Sequence, residues 1–488
     1  MEVHDVLVVG AGNAALTAAL SAAENGARVR VVEKAPEAEY GGNSRFSGAL
    51  FRFAYDGVDD LRPLRPDVGE EEWSRVEPGT YSVDAYLEEL YRVTRGRADT
   101  ELARTLVEES YSTMLWMKKL GVQFTWTELW SSLANDRLRF NPGAVLEVKG
   151  KGVGLMATLS RAVDDAGIEI VYETKMTGFL TDDNGNLCGI VAKTPAGRRE
   201  LPCRAIVLAS GGFEANTEMR ARYLGPGWDQ VKVRGTRFNT GETMRMALEF
   251  GAQPYGHWQG SHATPVDADS PPVGDLRLTD RTNRLSYPLS VMVNANGERF
   301  LDEGEDLGGL TYAKTGRAIL EQPGAVAYQI FDSKTVDLIE ERYSTGHPAV
   351  ADTLEELADQ LGLDRSKLLR TIRDFNAAVG EGSFDPIVRD GKSTEGLEPP
   401  KSNWALPIDS PPFTAYPATC GITFTYGGIR SDTQARVIDT EGLPIPGLFA
   451  TGEIAGGFFH YNYPGGAGLM RGAVFGRIAG RGAAERRP

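Results

Sequence analysis

Residues 460–477, HYNYPGGAGLMRGAVFGR, put side chains that transfer protons and hold charge into one glycine-rich stretch. His460 titrates near neutral pH, Tyr463 carries a hydroxyl that donates or accepts, and Arg471 is a permanent cation. The stretch reads as a glycine loop opening into a helix at about Gly468, and the free N–H groups of a helix N-terminus draw negative charge. Residues of the same kinds recur at His257, at His262 in GSHATP, at Arg284 and Tyr287 in RLSYP, and at Arg299. Arg299 sits in a GERF stretch and reads as a structural cation.

These groups need elements to hold them, and the clearest lie at the opposite end of the chain. VLVVGAGNAALTAAL is an all-apolar strand, a tight glycine turn and an alanine-rich helix. Gly10 and Gly12 let the backbone approach a pyrophosphate, Asn13 and Ala14 begin the helix, and small residues keep it close to the sheet. Glu33 ends the second strand about twenty residues on, where a carboxylate takes ribose hydroxyls. Strand, turn, helix, strand and acid together indicate a Rossmann-like dinucleotide unit. YGGNSRFSGALFRF, residues 40–53, follows directly and reads as a second contact to the cofactor. Residues 204–216, RAIVLASGGFEAN, repeat the pattern of buried strand and glycine turn.

The strand and turn of residues 448–458, LFATGEIAGGF, precede the C-terminal glycine loop. A cofactor contacted at both chain ends must be long. FAD fits such a bipartite site, with Glu453 on the ribityl chain and the helix near Gly468 aimed at the flavin N1 and O2 edge. NAD would be complete with the N-terminal unit alone.

Between these halves the texture changes from about Pro265, with Pro271 and Pro272 adjacent, long polar loops and no alternation of strand and helix. Residues 353–379 read as a helical hairpin with Thr353 and Glu356 as a capping box. Residues 100–120 read as one amphipathic helix, and 168–184 with 189–194 as strand and hairpin. The expected architecture is α/β: a Rossmann-like FAD-binding domain of the glutathione-reductase kind, interrupted by an inserted α+β capping domain. Its divisions fall at 1–264, 265–404 and 405–488.

The bulk composition excludes several classes. At 488 residues, 41% hydrophobic and 24% charged, the chain is an ordinary globular one with more than one core. A net charge of −15 without a basic run argues against nucleic acid. Cys188, Cys203 and Cys420 stand singly, with no spacing for haem, an iron–sulfur cluster or another metal site. With no long apolar stretch and no signal-peptide pattern, the expectation is a cytoplasmic protein that does not span a membrane.

With these motifs in hand, the chain resembles the flavoprotein family of fumarate reductases and succinate dehydrogenases, and within it the FAD-dependent tricarballylate dehydrogenases. The likeness runs nearly full length through GAGNAALTAAL, GGNSRFSGALFRFAYDG, SYPLSVMVNANGERFLDEG, GITFTYGGI and NYPGGAGL. It implies FAD between a binding domain and a mobile cap. The implied contacts are Gly10, Gly12, Asn13, Ala14, Glu33, Lys34, Ala35, Gly41, Gly42, Asn43, Ser44, Ser47, Gly48, Thr177, Ser210, Gly211, Gly212, Asn216, Phe424, Gly452, Glu453, Gly468 and Leu469. Ser44 stands where succinate dehydrogenases carry the histidine that tethers flavin, so FAD is expected to be non-covalent.

The implied reaction removes two hydrogens from adjacent carbons of a carboxylic acid or related carbonyl compound. A base takes one as a proton and the flavin takes the other as hydride. The base is open between Tyr287 and His460; His262 is the substrate contact that the resemblance implies, and Arg284, Thr423 and Gly468 are further candidates for substrate binding. The Arg that delivers the proton in fumarate reductases falls at Leu307 or Gly308 here. Their paired histidines become Thr423 and Phe424, and their clamping Arg becomes Tyr463. Tyr463 with Pro-Gly-Gly also resembles the YPGPG of 3-ketosteroid dehydrogenases, which makes it a donor to an enolate, beside Arg471. Alternatives are desaturation of a cyclic ketone and a fumarate-type reductase running in reverse. The expected acceptor is a separate protein, a quinone or oxygen.

Overall fold

The apolar run Val6–Val9 is buried on both faces, which requires layers above and below it. The computed structural model describes residues 4–486. Strand His4–Val9 pairs in parallel with Val29–Val32 on one side and with the end of Gly197–Leu208 on the other. Glu169–Val171 and Pro444–Ala450 extend the parallel sheet outward, the second by pairing with Gly197–Leu208. The same long strand pairs through its first half with the antiparallel hairpin Lys175–Thr181 and Leu187–Thr194. The chain is thus a mixed α/β fold, with an eight-stranded sheet at its centre.

Two helices cover one position of this sheet and settle where the two glycine loops lie. Asn13–Glu24 and Ala467–Ala484 pack against each other through glycines spaced four apart. A Cβ on Gly476 would lie 2.1 Å from Thr17 Oγ1, and one on Gly480 2.2 Å from Ala18 O. Nothing larger fits, so the two N-termini are drawn side by side over the strand ends.

A second, six-stranded sheet is organised by the 17-residue strand Phe413–Ile429. It pairs antiparallel with Pro254–Asp267 along a ladder from Pro254 with Ile429 to Asp267 with Ala418. Both strands run continuously through positions 265 and 418. Val291, Ile330, Leu357, Leu368, Phe375 and Phe413 form a separate small core beneath helices Leu354–Leu361 and Arg365–Ala378. Thr353 Oγ1 accepts from Glu356 N–H at 3.2 Å, and Gly362, at φ +67°, makes the turn between the helices.

Two expectations are revised. Residues 100–120 form two helices, Thr100–Glu108 and Ser110–Lys119, because Ser110 is buried with its Oγ accepting from Ala54 N–H at 3.0 Å. Residues 168–184 split at Glu173, φ +51°, into one parallel strand and one antiparallel strand. Among the described residues the three cysteines are free, no group of side chains is arranged to hold a metal, and no helix is long and apolar enough to cross a membrane.

Candidate active site

An elongated cleft runs from Lys34 to Tyr312, past the N-termini of both paired helices. At its first end Gly10 has φ +112°, and a Cβ there would lie 2.4 Å from Ala209 O. The N-cap of the following helix is Gly12, which has no side chain to cap the first turn; Asn13 N–H donates to Ser44 Oγ at 3.1 Å. The Glu33 carboxylate accepts from Ala11 N–H at 2.8 Å and Ala35 N–H at 2.7 Å. Burial raises its pKa against those hydrogen bonds and the nearby Lys34. Lys34 donates to Thr240 Oγ1 and pairs with Glu242 at 2.9 Å, as does Lys175 at 2.6 Å, and the two lysines hold Glu242 down to about 2, against its burial.

Gly42, Asn43, Ser44, Ser47, Gly48, Ser210 and Gly211 line the middle of the cleft. Glu453 lines it next, with Glu214 directly behind. Asn43 and Asn239 each donate a side-chain N–H to Glu214 Oε1, at 2.5 and 2.6 Å, while Thr425 N–H donates to Glu453 Oε1 at 2.7 Å. Burial raises both carboxyls, Glu214 further because Glu453 opposes its charge, so the pair shares a proton. Glu214 Oε2 has no hydrogen-bond partner among the described residues, and a proton shared with Glu453 would satisfy it.

These residues fit an FAD. The Gly10 turn allows only a bare backbone, two helix N-termini lack side-chain caps, and a ribose-type acid stands at one end of an elongated cleft. Ser44 at the possible tether position leaves it non-covalent.

At the far end the cleft is walled by Thr423, Phe424, Tyr463, Gly468, Leu469 and Arg471, and by Trp130, Arg234, Leu285, Tyr312 and Arg342. The Tyr463 and Tyr312 hydroxyls are hydrogen-bonded to each other. Burial raises both; Arg234 favours ionisation of each, and Arg52 and Arg342 favour that of Tyr312. Helix Gly308–Leu320 is tied to the Tyr463 loop, with Asn462 Nδ2 donating to Leu310 O at 2.6 Å and Gly465 N–H to Gly309 O at 2.7 Å. Arg52 supports the loop from below, donating from Nε to Gly465 O at 2.7 Å.

The cationic side chains here differ in how far they are committed. Arg342 is paired with Asp280 and Glu340. Arg234 donates from Nε to Thr423 Oγ1 at 2.9 Å and from Nη1 to Phe46 O at 3.2 Å, and makes no ion pair among the described residues. Arg471 is 3% exposed, against the rings of Phe424, Phe458 and Phe459. Burial lowers its pKa to about 10, which leaves it charged at neutral pH.

Several residues singled out in the sequence lie elsewhere. Tyr287 is 1% exposed in a small core with Met292, Ile319, Ala327 and Ala418, its hydroxyl bonded to Thr311 Oγ1. Arg284 points away because Asn283 and Leu285, its neighbours, face the cleft; it is buried against Asp267. His460 stacks on His257 at 4.0 Å outside the cleft. Neither base candidate therefore reaches the cleft. His262 is fully buried behind the wall, packed on Phe424, Tyr312 and Tyr463 at 5.3, 4.8 and 5.0 Å, with neither nitrogen partnered. Burial and Arg234 keep it neutral.

At the nucleotide end Thr174, Lys175 and Met176 line the cleft, whereas Thr177 faces outward and bonds Val191 O. Asn216 caps helix Thr217–Leu224, Gly41 supplies a turn at φ +104°, and Gly212 lets Glu453 approach, since a Cβ would lie 2.1 Å from its Oε1. Arg234, Tyr312, Arg342 and Trp130 escaped sequence reasoning. Only Tyr312 left a signal, one helical turn after the position where an acid was sought at Gly308.

Comparison with known proteins agrees with this geometry. A probable fumarate reductase of Shewanella frigidimarina is 30% identical over 99% of this chain and 75% of its own. A 4-oxocyclohexanecarboxylate 2-dehydrogenase of Sinomonas cyclohexanicum is 28% identical, over 98% and 92%. The solved open conformation of a flavocytochrome c3 fumarate reductase superposes with a TM-score of 0.74 at 29% identity, covering 99% of this chain and 78% of that one. The profile of the family described as FAD binding domain matches residues 5–469, and the chain belongs to that family as an FAD-dependent oxidoreductase acting on CH–CH groups.

Proposed function

We propose that the chain is a dehydrogenase that introduces a carbon–carbon double bond beside the carbonyl of a ring ketone carrying one carboxylate. The reading rests on the Tyr463–Tyr312 hydroxyl pair beside Arg234, a cation free of ion pairs, at an aromatic end of the cleft. A ketone oxygen that gains charge needs a fixed donor or positive charge, and the hydroxyl pair supplies the donor. The pair has two hydroxyl hydrogens and uses one internally, so one remains to donate. A carboxylate needs a guanidinium edge, and Thr423 and Phe46 leave Arg234 Nη2 for that purpose. FAD, when bound, would accept the hydride, and the proton lost from the neighbouring carbon would pass to the Tyr463–Tyr312 pair, to be released with the product. The chain's own part is to orient the ring between Phe424 and Trp130, hold the enolate oxygen and keep water out behind the latched cap.

A tricarboxylate such as tricarballylate suits this end less well, because Arg342 is already neutralised by Asp280 and Glu340. The lysines at the other end are committed to Glu242. Leu307 and Gly308, where a fumarate reductase needs its acid, support oxidation over reduction. The relative that acts on 4-oxocyclohexanecarboxylate supports a keto acid. In this proposal the cap spans 265–404 between the two FAD-binding segments, and a separate protein, a quinone or oxygen takes the electrons in the cytoplasm.

The test is anaerobic visible absorbance of the purified holoprotein with 4-oxocyclohexanecarboxylate, cyclohexanecarboxylate, succinate and tricarballylate in turn. Bleaching of the flavin band by the keto acid alone is expected. Bleaching by succinate or tricarballylate, with none by the ketone, overturns the reading.

A further inference from the structure

One wall of the cleft belongs to a side chain that the chemistry above uses only as a surface. Trp130 stands at the foot of a hairpin formed by Ser131–Ala134 and Arg137–Phe140, and its ring lies 5.4 Å from that of Tyr312. The indole fills a slot made of three glycines. A Cβ on Gly308 would lie 2.9 Å from Nε1, one on Gly309 2.9 Å from Cζ3, and one on Gly465 2.7 Å from Cη2. The first two open the cap helix and the third follows Tyr463 closely, so the ring is wedged between the cap and the catalytic loop. It covers the place where an acid at position 308 would have projected.

Trp130 keeps this position against two local penalties. Its φ is +60°, a region that a bulky side chain rarely occupies, and its Nε1–H is buried with no acceptor. The hairpin supplies the restraint. Asn135 and Asp136, at φ +52° and +60°, make a tight two-residue turn. Asn141 N–H donates to Trp130 O at 2.9 Å, Asn141 Nδ2 to Ile387 O at 3.0 Å, and Arg139 pairs with Asp385 at 2.9 Å. The last two contacts fasten the hairpin to the inserted region, so the wedge is held by the same part of the chain that carries Tyr312.

From this arrangement we infer that Trp130 is a specificity-determining wedge, which sets the length of the substrate end of the cleft and blocks entry between the cap helix and the Tyr463 loop. The inference rests on the proposed reaction for the class of substrate, but the barrier does not depend on it. An indole in this slot favours an apolar ring over a second carboxylate, because a charge placed against it would be left unpaired.

The test uses purified holoprotein and four chains: wild type, Trp130→Ala, Gly309→Ala, and the two combined. Trp130→Ala empties the slot, and Gly309→Ala expels the ring by putting a methyl where it lies. Sulfite bleaches oxidised flavin by adding to it, so its rate reads access without any substrate. Both single variants are expected to bleach about 10-fold faster, the scale of a lost apolar wall, and the combined variant no faster than either. With equal FAD content, Trp130→Ala is also expected to raise kcat/KM for 2-decalone relative to 4-oxocyclohexanecarboxylate by about 10-fold. Unchanged sulfite rates in both single variants, or accelerations that multiply in the combined one, overturn the wedge. Failure of every ketone to bleach the wild type overturns the substrate class instead, and the sulfite rates then still decide the wedge.

Discussion

The two glycine loops that meet at the cleft do opposite work. Around residues 10–13 the chain offers backbone: the turn admits no side chain at Gly10, and the carboxylate that follows, Glu33, is fixed by two amides. Around residues 463–471 it offers side chains, Tyr463 and Arg471, which become a site only with Tyr312, Arg234 and Trp130 from distant segments. The first loop recognises phosphate by geometry that neighbours in sequence supply. The second recognises a substrate by chemistry that the tertiary fold assembles. Damage to the first should therefore remove the cofactor, whereas damage to the second should spare the cofactor and remove turnover.

The largest effect separates them most sharply. Gly10→Ala must abandon φ +112° or push back Ala209 O, and FAD is expected to bind about 100-fold more weakly, roughly 2.7 kcal/mol. Fluorescence titration of the apoprotein with FAD measures it, and near-normal affinity would remove the argument that this turn is built for close backbone approach. At the other loop, Tyr463→Phe and Tyr312→Phe should each lower kcat about 10²-fold, approaching the 3 kcal/mol of a lost oxyanion donor, with FAD content unchanged. The double variant should lose little more, because the hydroxyls act as one unit. Multiplicative losses would give them separate roles.

The same contrast explains what could be read from the sequence. Glu33, the Gly10 turn and the helix it opens were legible because each lies within reach of its neighbours, and a short motif carries the whole geometry. Met176 was missed by one residue, with Thr177 taken instead, since a strand's alternating faces cannot be phased without its neighbours. At the second loop Tyr463 was legible from its glycines. Arg234 was not, because VKVRGTRF gives no sign that its guanidinium reaches Thr423. Tyr287 and Arg284 were drawn in by the resemblance. Each sits on a segment that does approach the cleft, but strand and turn geometry direct its side chain into the core.

Arg234 gives the next effect in size. It donates to Thr423 and has no carboxylate partner, so its charge serves whatever anion enters. Arg234→Met should raise KM for 4-oxocyclohexanecarboxylate about 10- to 100-fold, the 1.5–3 kcal/mol of a charge-assisted hydrogen bond, and leave kcat nearly unchanged. The same variant tested with unsubstituted cyclohexanone should show no such rise. An equal rise for both ketones would show that Arg234 shapes the wall rather than binding a carboxylate.

The last effect, on stability rather than on cofactor or substrate, lies where the two loops meet, at Glu214 and Glu453. Burial and mutual repulsion raise Glu214, so the folded chain holds its proton at a pH where the unfolded chain, with a glutamate pKa of about 4.3, has released it. The sign follows from linkage. Stability from this group is full below the ordinary carboxylate range and declines as pH rises through the folded value, by up to about 1.4 kcal/mol per pH unit inside that window. Glu214→Gln keeps an acceptor for Asn43 and Asn239 and a donor for Glu453, but has no proton to lose. Its Tm should therefore lie nearest wild type below the ordinary carboxylate range and gain on it as pH rises above that range, with FAD saturating throughout. A gap that stays constant with pH would mean that Glu214 is ionised in the folded chain as well, and that the junction between the loops carries ordinary charges.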